Sequence, residues 1–396
     1  MNNKIIAGIV AVVAVMVLGL GLLWSTQKPA ADKNQNRNVS SEEKTVKSNE
    51  KIYVALEGES KVAVIKNNQL YKQIDLSKTE GDKTIIFSAH NVQVAPDGKS
   101  VWATAMVKEV KEKKEIGLRI IPVALADEMD EPMKEKEPDE VVVIDPKTDT
   151  VSKRIPLSIG AHAAHVIVSM DNNFAYATAQ KEGMIYKINA KTFTVEKKIE
   201  APMGSEPHGL RMTPDGKSVY IAYVKGKAMG VIDANADTLS EIKTDGAAVQ
   251  AGVLPNGKTV VVSLYDTKKI AALDIASGNL SYINLPAEAK GPVQVYPTPD
   301  SKYLYVADQG YYFDQPSSDK VYKIDMESKK VAKTIEGGVA PHGIVVSKSG
   351  QYAYVTNLLG NDVSVIDLAK DQEIARITVG KTPNGISIWS DLGGTP

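Results

Sequence analysis

The sequence predicts an all-β chain: a seven-bladed β-propeller of four-stranded antiparallel blades, closed by its own C-terminal strand and preceded by one N-terminal transmembrane helix. Three observations carry that expectation. One short apolar strand recurs seven times, a second strand, mostly ending in Asp or Asn, recurs seven times after it, and an opening strand that the first copy lacks stands alone near the C-terminus.

The chain of 396 residues begins with a short flank, residues 1–4, and then an uncharged run at 5–24 made of apolar residues and glycine. At ~1.5 Å per residue that run spans a hydrocarbon core of about 30 Å. No convincing cleavage site follows Trp24, so the expectation is an uncleaved signal anchor in the cell membrane, with the propeller on the extracytoplasmic side. Lys28, Lys33 and Arg37 lie on the far flank and weaken the charge asymmetry that would fix this orientation. Residues 25–50 are polar and aperiodic and read as a flexible tether.

Residues 51–390 hold the repeat. The second strand of each blade appears as Tyr53-Val54-Ala55, Trp102-Ala103-Thr104, Tyr176-Ala177-Thr178, Tyr220-Ile221-Ala222, Val261-Val262-Ser263, Tyr305-Val306-Ala307 and Tyr354-Val355-Thr356. The third appears at 62–66, 141–145, 185–189, 229–233, 270–274, 321–325 and 363–367. Continuous apolar runs in these strands mean burial on both faces, as packing between blades requires. The outer strands alternate instead, as in Val195-Glu196-Lys197-Lys198-Ile199, and keep lysines in water where they discourage edge pairing. Pro96-Asp97-Gly98 and Pro214-Asp215-Gly216 are turn chemistry, and Asp145, Asp233 and Asp367 are turn formers rather than a catalytic carboxylate set. The first copy lacks an opening strand, and residues 382–389 supply one, leaving 391–396 as a tail. Pairing the two chain ends removes an open edge.

Tyr354-Val355-Thr356-Asn357, preceded by Pro341-His342-Gly343-Ile344 and followed by Asn361-Asp362-Val363-Ser364-Val365-Ile366-Asp367, resembles the YVTN repeat of YncE-like propeller proteins. The resemblance covers residues 51–390 and implies export and a seven-bladed ring. It transfers no catalytic residue, because relatives include surface proteins and binding scaffolds, and propellers similar in fold carry the d-type haem of cytochrome-type nitrite reductases. The blades around Val249 and Val293 depart from the pattern by lacking the Pro-His-Gly form.

Composition narrows function by exclusion. Acidic and basic residues nearly cancel, at a formal net charge of −1, so nothing draws the chain to nucleic acid. The absence of cysteine removes disulfides, thiolate metal sites, Fe–S clusters, c-type haem attachment and cysteine nucleophiles. No nucleophile elbow, phosphate-binding loop or His-Glu-x-x-His pattern is present, so a non-catalytic role is expected. Lactone or ester hydrolysis would need a channel carboxylate or metal that the sequence does not identify.

The start of each innermost strand falls on one face of the ring, beside the central channel. Aligned by motif, that position holds His90, His165, His208, Val249, Val293, His342 and Asn384, with the fifth histidine, His162, just upstream. Converging imidazoles suit a transition metal, copper or zinc, or an axial haem ligand. Equally, the same side chains would serve as structural bonds into neighbouring blades, which suits Asn384. Two insertions, 108–139 and 309–318, return to this face. The first reads as a solvated flap or as an acidic, thioether-bearing lid around Met129 and Met133. The second brings Tyr311, Tyr312 and Phe313, which would stack on a planar ligand or cover the channel mouth. The reading is a monomeric scaffold that binds a protein or small molecule at this face, or alternatively a metal- or haem-binding redox protein.

Overall fold

The computed structural model describes residues 50–112 and 137–394. The flank, the run at 5–24, nearly all of the tether, and Met129 and Met133 with the rest of the acidic segment lie outside the described residues. Among the described residues no helix is long and apolar enough to cross a membrane.

Seven antiparallel sheets follow one another around the ring, each running from an innermost to an outermost strand. Blade 1 is built from both chain ends: Pro383–Ser390 pairs with Lys51–Leu56, which pairs in turn with Lys61–Lys66 and Gln69–Asp75. The closure expected from the orphan strand is therefore present. Two blades exceed four strands. Gly393–Gly394 folds back on Trp389 and Ser390, and Lys78–Glu80 pairs with Lys83–Val94 in blade 2.

Both faces of each blade are apolar, and seven core clusters result, one at each blade–blade contact. Ile52, Val54 and Ile388 of blade 1 meet Val345, Tyr354 and Val363 of blade 7 across the closure. On its other side blade 1 sets Tyr53, Val62 and Val64 against Phe87, Val92 and Val101 of blade 2. The large rings Tyr53, Trp102, Tyr176, Tyr305 and Tyr354 are among the most fully buried side chains, which explains why the second strand begins on an aromatic residue. The turn reading holds as well: Gly98 and Gly216 have φ of 68° and 72°, and the Asp97 and Asp215 carboxylates accept the N–H groups of Lys99 and Lys217. Asp145, Asp233 and Asp367 accept turn N–H groups in the same manner.

The insertion at 108–139 is narrower than its composition suggests. Val101–Glu112 continues as a strand through its Lys-Glu run, pairing Glu109 with Ile86 and Glu112 with Lys83, because the partner strand Lys83–Val94 is equally long. At the other end Asp139 is buried, accepting from Val107 N and Ala163 N at 2.8 and 3.1 Å.

All seven innermost strands carry a β-bulge, at the strand start in six blades and within the longer strand Lys83–Val94 in blade 2, where two residues oppose one on the second strand. The bulged pairs are His90-Asn91, Ala164-His165, His208-Gly209, Val249-Gln250, Val293-Gln294, His342-Gly343 and Asn384-Gly385. In four blades the residue opposite is Thr104, Thr178, Ser263 or Thr356, and its hydroxyl accepts the N–H of the second bulge residue. Three of these hydroxyls also donate to the next blade, to the carbonyls of Ala164, His208 and Asn384, at 2.7–2.8 Å. Glycine follows histidine or asparagine in three bulges because the next blade approaches closely: a Cβ on Gly385 would lie 2.7 Å from Asn91 Cα.

Deleting the chain from Thr382 onward opens this ring, and the expected outcome is loss of the cooperative melt, followed by circular dichroism. Ile388→Ala, at a fully buried position in the closing strand, should cost about 2–5 kcal/mol in denaturant unfolding. An unchanged melting temperature in the truncation contradicts the closure.

Candidate functional site at the channel mouth

The bulges place two layers of side chains in the channel. The first bulge residues form a rim of His90, Ala164, His208, Val249, Val293, His342 and Asn384. The second form a layer beneath, with Asn91, His165, Gln250 and Gln294 interrupted by glycines. His165 therefore does not share the rim position assigned to it by motif: Ala164 does, since Ala163 pairs with Ala179 as Pro207 pairs with Tyr223. A bulge turns both of its residues toward the channel, so a histidine one position later still reaches the same space. The His165 and His208 ring centroids are 4.5 Å apart, and His90 lies 5.5 and 5.4 Å from them.

One nitrogen from each of His90, His165 and His208 falls within 4.8 Å of the others. Second contacts set which nitrogens are free. His208 Nδ1 donates to the Val249 carbonyl at 3.0 Å, which leaves the lone pair on Nε2, 3.3 Å from His90 Nε2. His165 Nε2 is buried and has no hydrogen-bond partner among the described residues. His342 is held the other way. Tyr312 N–H donates to Gln309 Oε1 at 3.1 Å, so the Gln309 amide turns its Nε2 to His342 Nδ1 at 2.6 Å, and His342 Nε2 carries the proton. His342 thus belongs to the wall of the site and not to its lone-pair set. His162 reaches the cluster from the side, with its ring 6.5 Å from that of His90 and its backbone at φ 57°.

The residue that sequence reading missed is Glu57. It follows the second strand of blade 1, where other blades have Gln180, Val224, Tyr265, Gln309 or Leu358, and that lone acid in the repeat was the available signal. Its Oε2 accepts from Tyr312 Oη at 2.6 Å and Asn384 Nδ2 at 2.7 Å, while Oε1 stands 3.7 Å from His90 Nδ1. Asn384 Nδ2 also lies 3.2 Å from His90 Nδ1. Burial pushes the Glu57 carboxyl up, but the bond and charge of His90, with Tyr312 and Asn384, outweigh it and hold the group below the usual carboxylate range. Burial, and then the Glu57 charge, push the Tyr312 phenol up.

Of the insertion aromatics, Tyr312 lies at the mouth, 5.6 Å from the His342 ring centroid, and Tyr311 is exposed beside it. Phe313 is instead stacked on Tyr265 at 4.1 Å and packed over Gly291, anchoring the insertion to blade 5.

Residues 259–385 match the family described as "Lactonase, 7-bladed beta-propeller". The YVTN, YncE-like resemblance is consistent with that match. Antigen Lp49 of Leptospira interrogans serogroup Icterohaemorrhagiae serovar copenhageni is 28% identical over 176 residues, 40% of this chain and 38% of that protein. The chain thus matches under two fifths of that relative's length. Among solved structures, hydrazine synthase of Kuenenia stuttgartiensis superposes with a TM-score of 0.54 at 18% identity, covering 78% of this chain and 94% of that one. A dihydro-haem d1 dehydrogenase, NirN, in complex with DHE gives 0.56 at 13% identity, with 83% and 63% covered. These likenesses are of fold. The lactonase match contains His342 and Asn384 but none of Glu57, His90, His165 and His208.

Burial, first among the causes, drives His208 and His342 down to about 3 from an ordinary 6.5, and His165 well below that value too, with neighbouring histidines adding to the effect in each case. A depressed histidine pKa means that the unfolded chain takes up protons first as pH falls. Stability is therefore complete above about pH 6.5 and declines toward about pH 3, by about 1.4 kcal/mol per pH unit for each such histidine. Melting of the chelator-treated protein between pH 7 and 4 should follow this slope, and His342→Gln should flatten it. A melting temperature independent of pH over that window contradicts neutral burial.

Proposed function

We propose that the chain is a transition-metal-binding propeller, holding one copper or zinc ion at the channel mouth between His90, His165 and His208 and acting as a binding protein rather than a catalyst. The observation that carries this reading is the convergence of three buried imidazole nitrogens, with the His208 lone pair exposed toward the others by the Val249 carbonyl. Metal–nitrogen distances of about 2.0–2.1 Å in a tetrahedron require nitrogens about 3.3 Å apart. The 3.3 Å between His90 Nε2 and His208 Nε2 already meets that spacing. Three imidazole nitrogens and no thiolate suit copper or zinc in preference to harder cations.

Glu57 completes the arrangement from outside. With an ion on Nε2, the His90 proton resides on Nδ1 and points to Glu57 Oε1, the carboxylate–histidine pairing that orients metal-bound imidazoles and raises their basicity. Tyr312 and Asn384 hold that carboxylate in place. A haem-sized guest is less well served, since Tyr312 is bonded across the mouth and the channel beneath the rim offers a space of only about 10 Å³. A protein or small-molecule partner would approach the ion past Tyr311. The apolar run at 5–24 adds a location to the proposal: a membrane anchor with the ring on the extracytoplasmic side.

The test is metal analysis and copper or zinc titration of the full chain purified in mild detergent. One ion per chain is expected, abolished by the combined His90→Ala, His165→Ala and His208→Ala substitutions and retained in His342→Ala. Glu57→Gln should weaken binding about 10–100-fold. A wild type that binds neither metal after reconstitution overturns the reading.

A further inference from the structure

One charged side chain in the channel takes no part in the metal site. Arg211 lies on the innermost strand of blade 4, below the histidine layer, in a space whose lining includes His165, Gln250, Gln294 and Tyr296. Among the described residues its polar partner is Gln93 Oε1 at 3.0 Å, the Tyr296 ring centroid lies 5.9 Å away, and no carboxylate is paired with it. A guanidinium offers five N–H donors in a planar fork. Here one bond to an uncharged acceptor is accounted for, while the guanidinium is partly withdrawn from solvent. Buried charges are ordinarily paired, because removing an ion from water without a counter-charge is costly.

A second, independent donor faces the same space. Gln294 Nε2 is buried and has no hydrogen-bond partner among the described residues, and Gln294 is the second bulge residue of its strand, the position that the fold turns toward the channel axis. An unpaired cation and an unpaired amide donor lining one cavity are complementary to negative charge. The cavity fixes its size. A space of about 10 Å³ for guest centres admits one water-sized or monatomic guest and excludes sulfate or a carboxylate.

We propose that the channel binds a single halide, chloride in physiological media, between the Arg211 guanidinium and the Gln294 amide. The anion supplies the counter-charge that none of the described residues provides. It also shields the histidine layer from Arg211, whose charge acts on His165. Arg211 and Gln294 are not metal ligands, although His165 borders both spaces, and the anion is expected to bind with the histidines empty.

The experiment uses the full chain in mild detergent, treated with chelator so that metal plays no part. Thermal melting is followed in sodium chloride, sodium bromide and sodium gluconate at matched ionic strength. An anion that binds only the folded state raises the melting temperature with the logarithm of its concentration. The expected result is a rise of several degrees in chloride and bromide over gluconate, absent in Arg211→Met and reduced in Gln294→Leu. Identical melting in all three salts overturns the proposal, as does an undiminished halide shift in Arg211→Met. Should Arg211→Met fail to fold, crystals of the wild type grown in bromide decide the matter: an anomalous peak beside Arg211 and Gln294 supports the site, and its absence there overturns it.

Discussion

The β-bulge in each innermost strand is the constraint on which the channel depends. Without it, alternation would send one of each residue pair into a blade–blade core and only one toward the axis. With it, both positions of each pair face the channel, and seven repeats yield two layers of mixed side chains instead of one. The unpaired N–H groups that a bulge creates need acceptors, and in four blades the hydroxyl of Thr104, Thr178, Ser263 or Thr356 supplies one. The threonine of the repeat motif is therefore a bulge partner. By also donating to the next blade's carbonyl it sets the position of that blade's rim residue.

Ring closure then gives the site its asymmetry. Glu57 follows the first blade strand of the chain and Asn384 lies in the closing strand, and they meet at 2.7 Å only because that strand pairs beside Lys51–Leu56. Blade 2 contributes His90 to this pair, and the insertion of blade 6 lays Tyr312 over it. The site is thus assembled from segments far apart in sequence, each fixed by apolar packing between blades. Its histidines and Asn384 are buried in fixed orientations, which is what allows second contacts such as Val249 O and the Gln309 amide to decide which nitrogens of His208 and His342 carry protons.

The fold was legible because its signals repeat: an aromatic residue at the head of the second strand in six blades, with Val261 in the seventh, aspartate turns, and one orphan strand of the right kind at the end. The convergence of the histidines was legible for the same reason. Three things were not. The register of His165 is hidden, since Ala164-His165 and His208-Gly209 look alike by histidine content and only strand pairing separates them. Glu57 stands in a turn after a strand, and nothing local distinguishes it from a solvated acid; its role comes from residues 33, 255 and 327 positions away. Arg211 reads as an ordinary strand residue until the absence of a paired carboxylate is seen in three dimensions.

Crystallography of the copper- or zinc-loaded chain, with data collected at that metal's absorption edge, tests the central claim most directly. The account predicts one anomalous peak about 2.0–2.1 Å from a nitrogen of each of His90, His165 and His208, with His342 outside the coordination sphere. A peak elsewhere on the molecule, with none at the channel mouth, would contradict it.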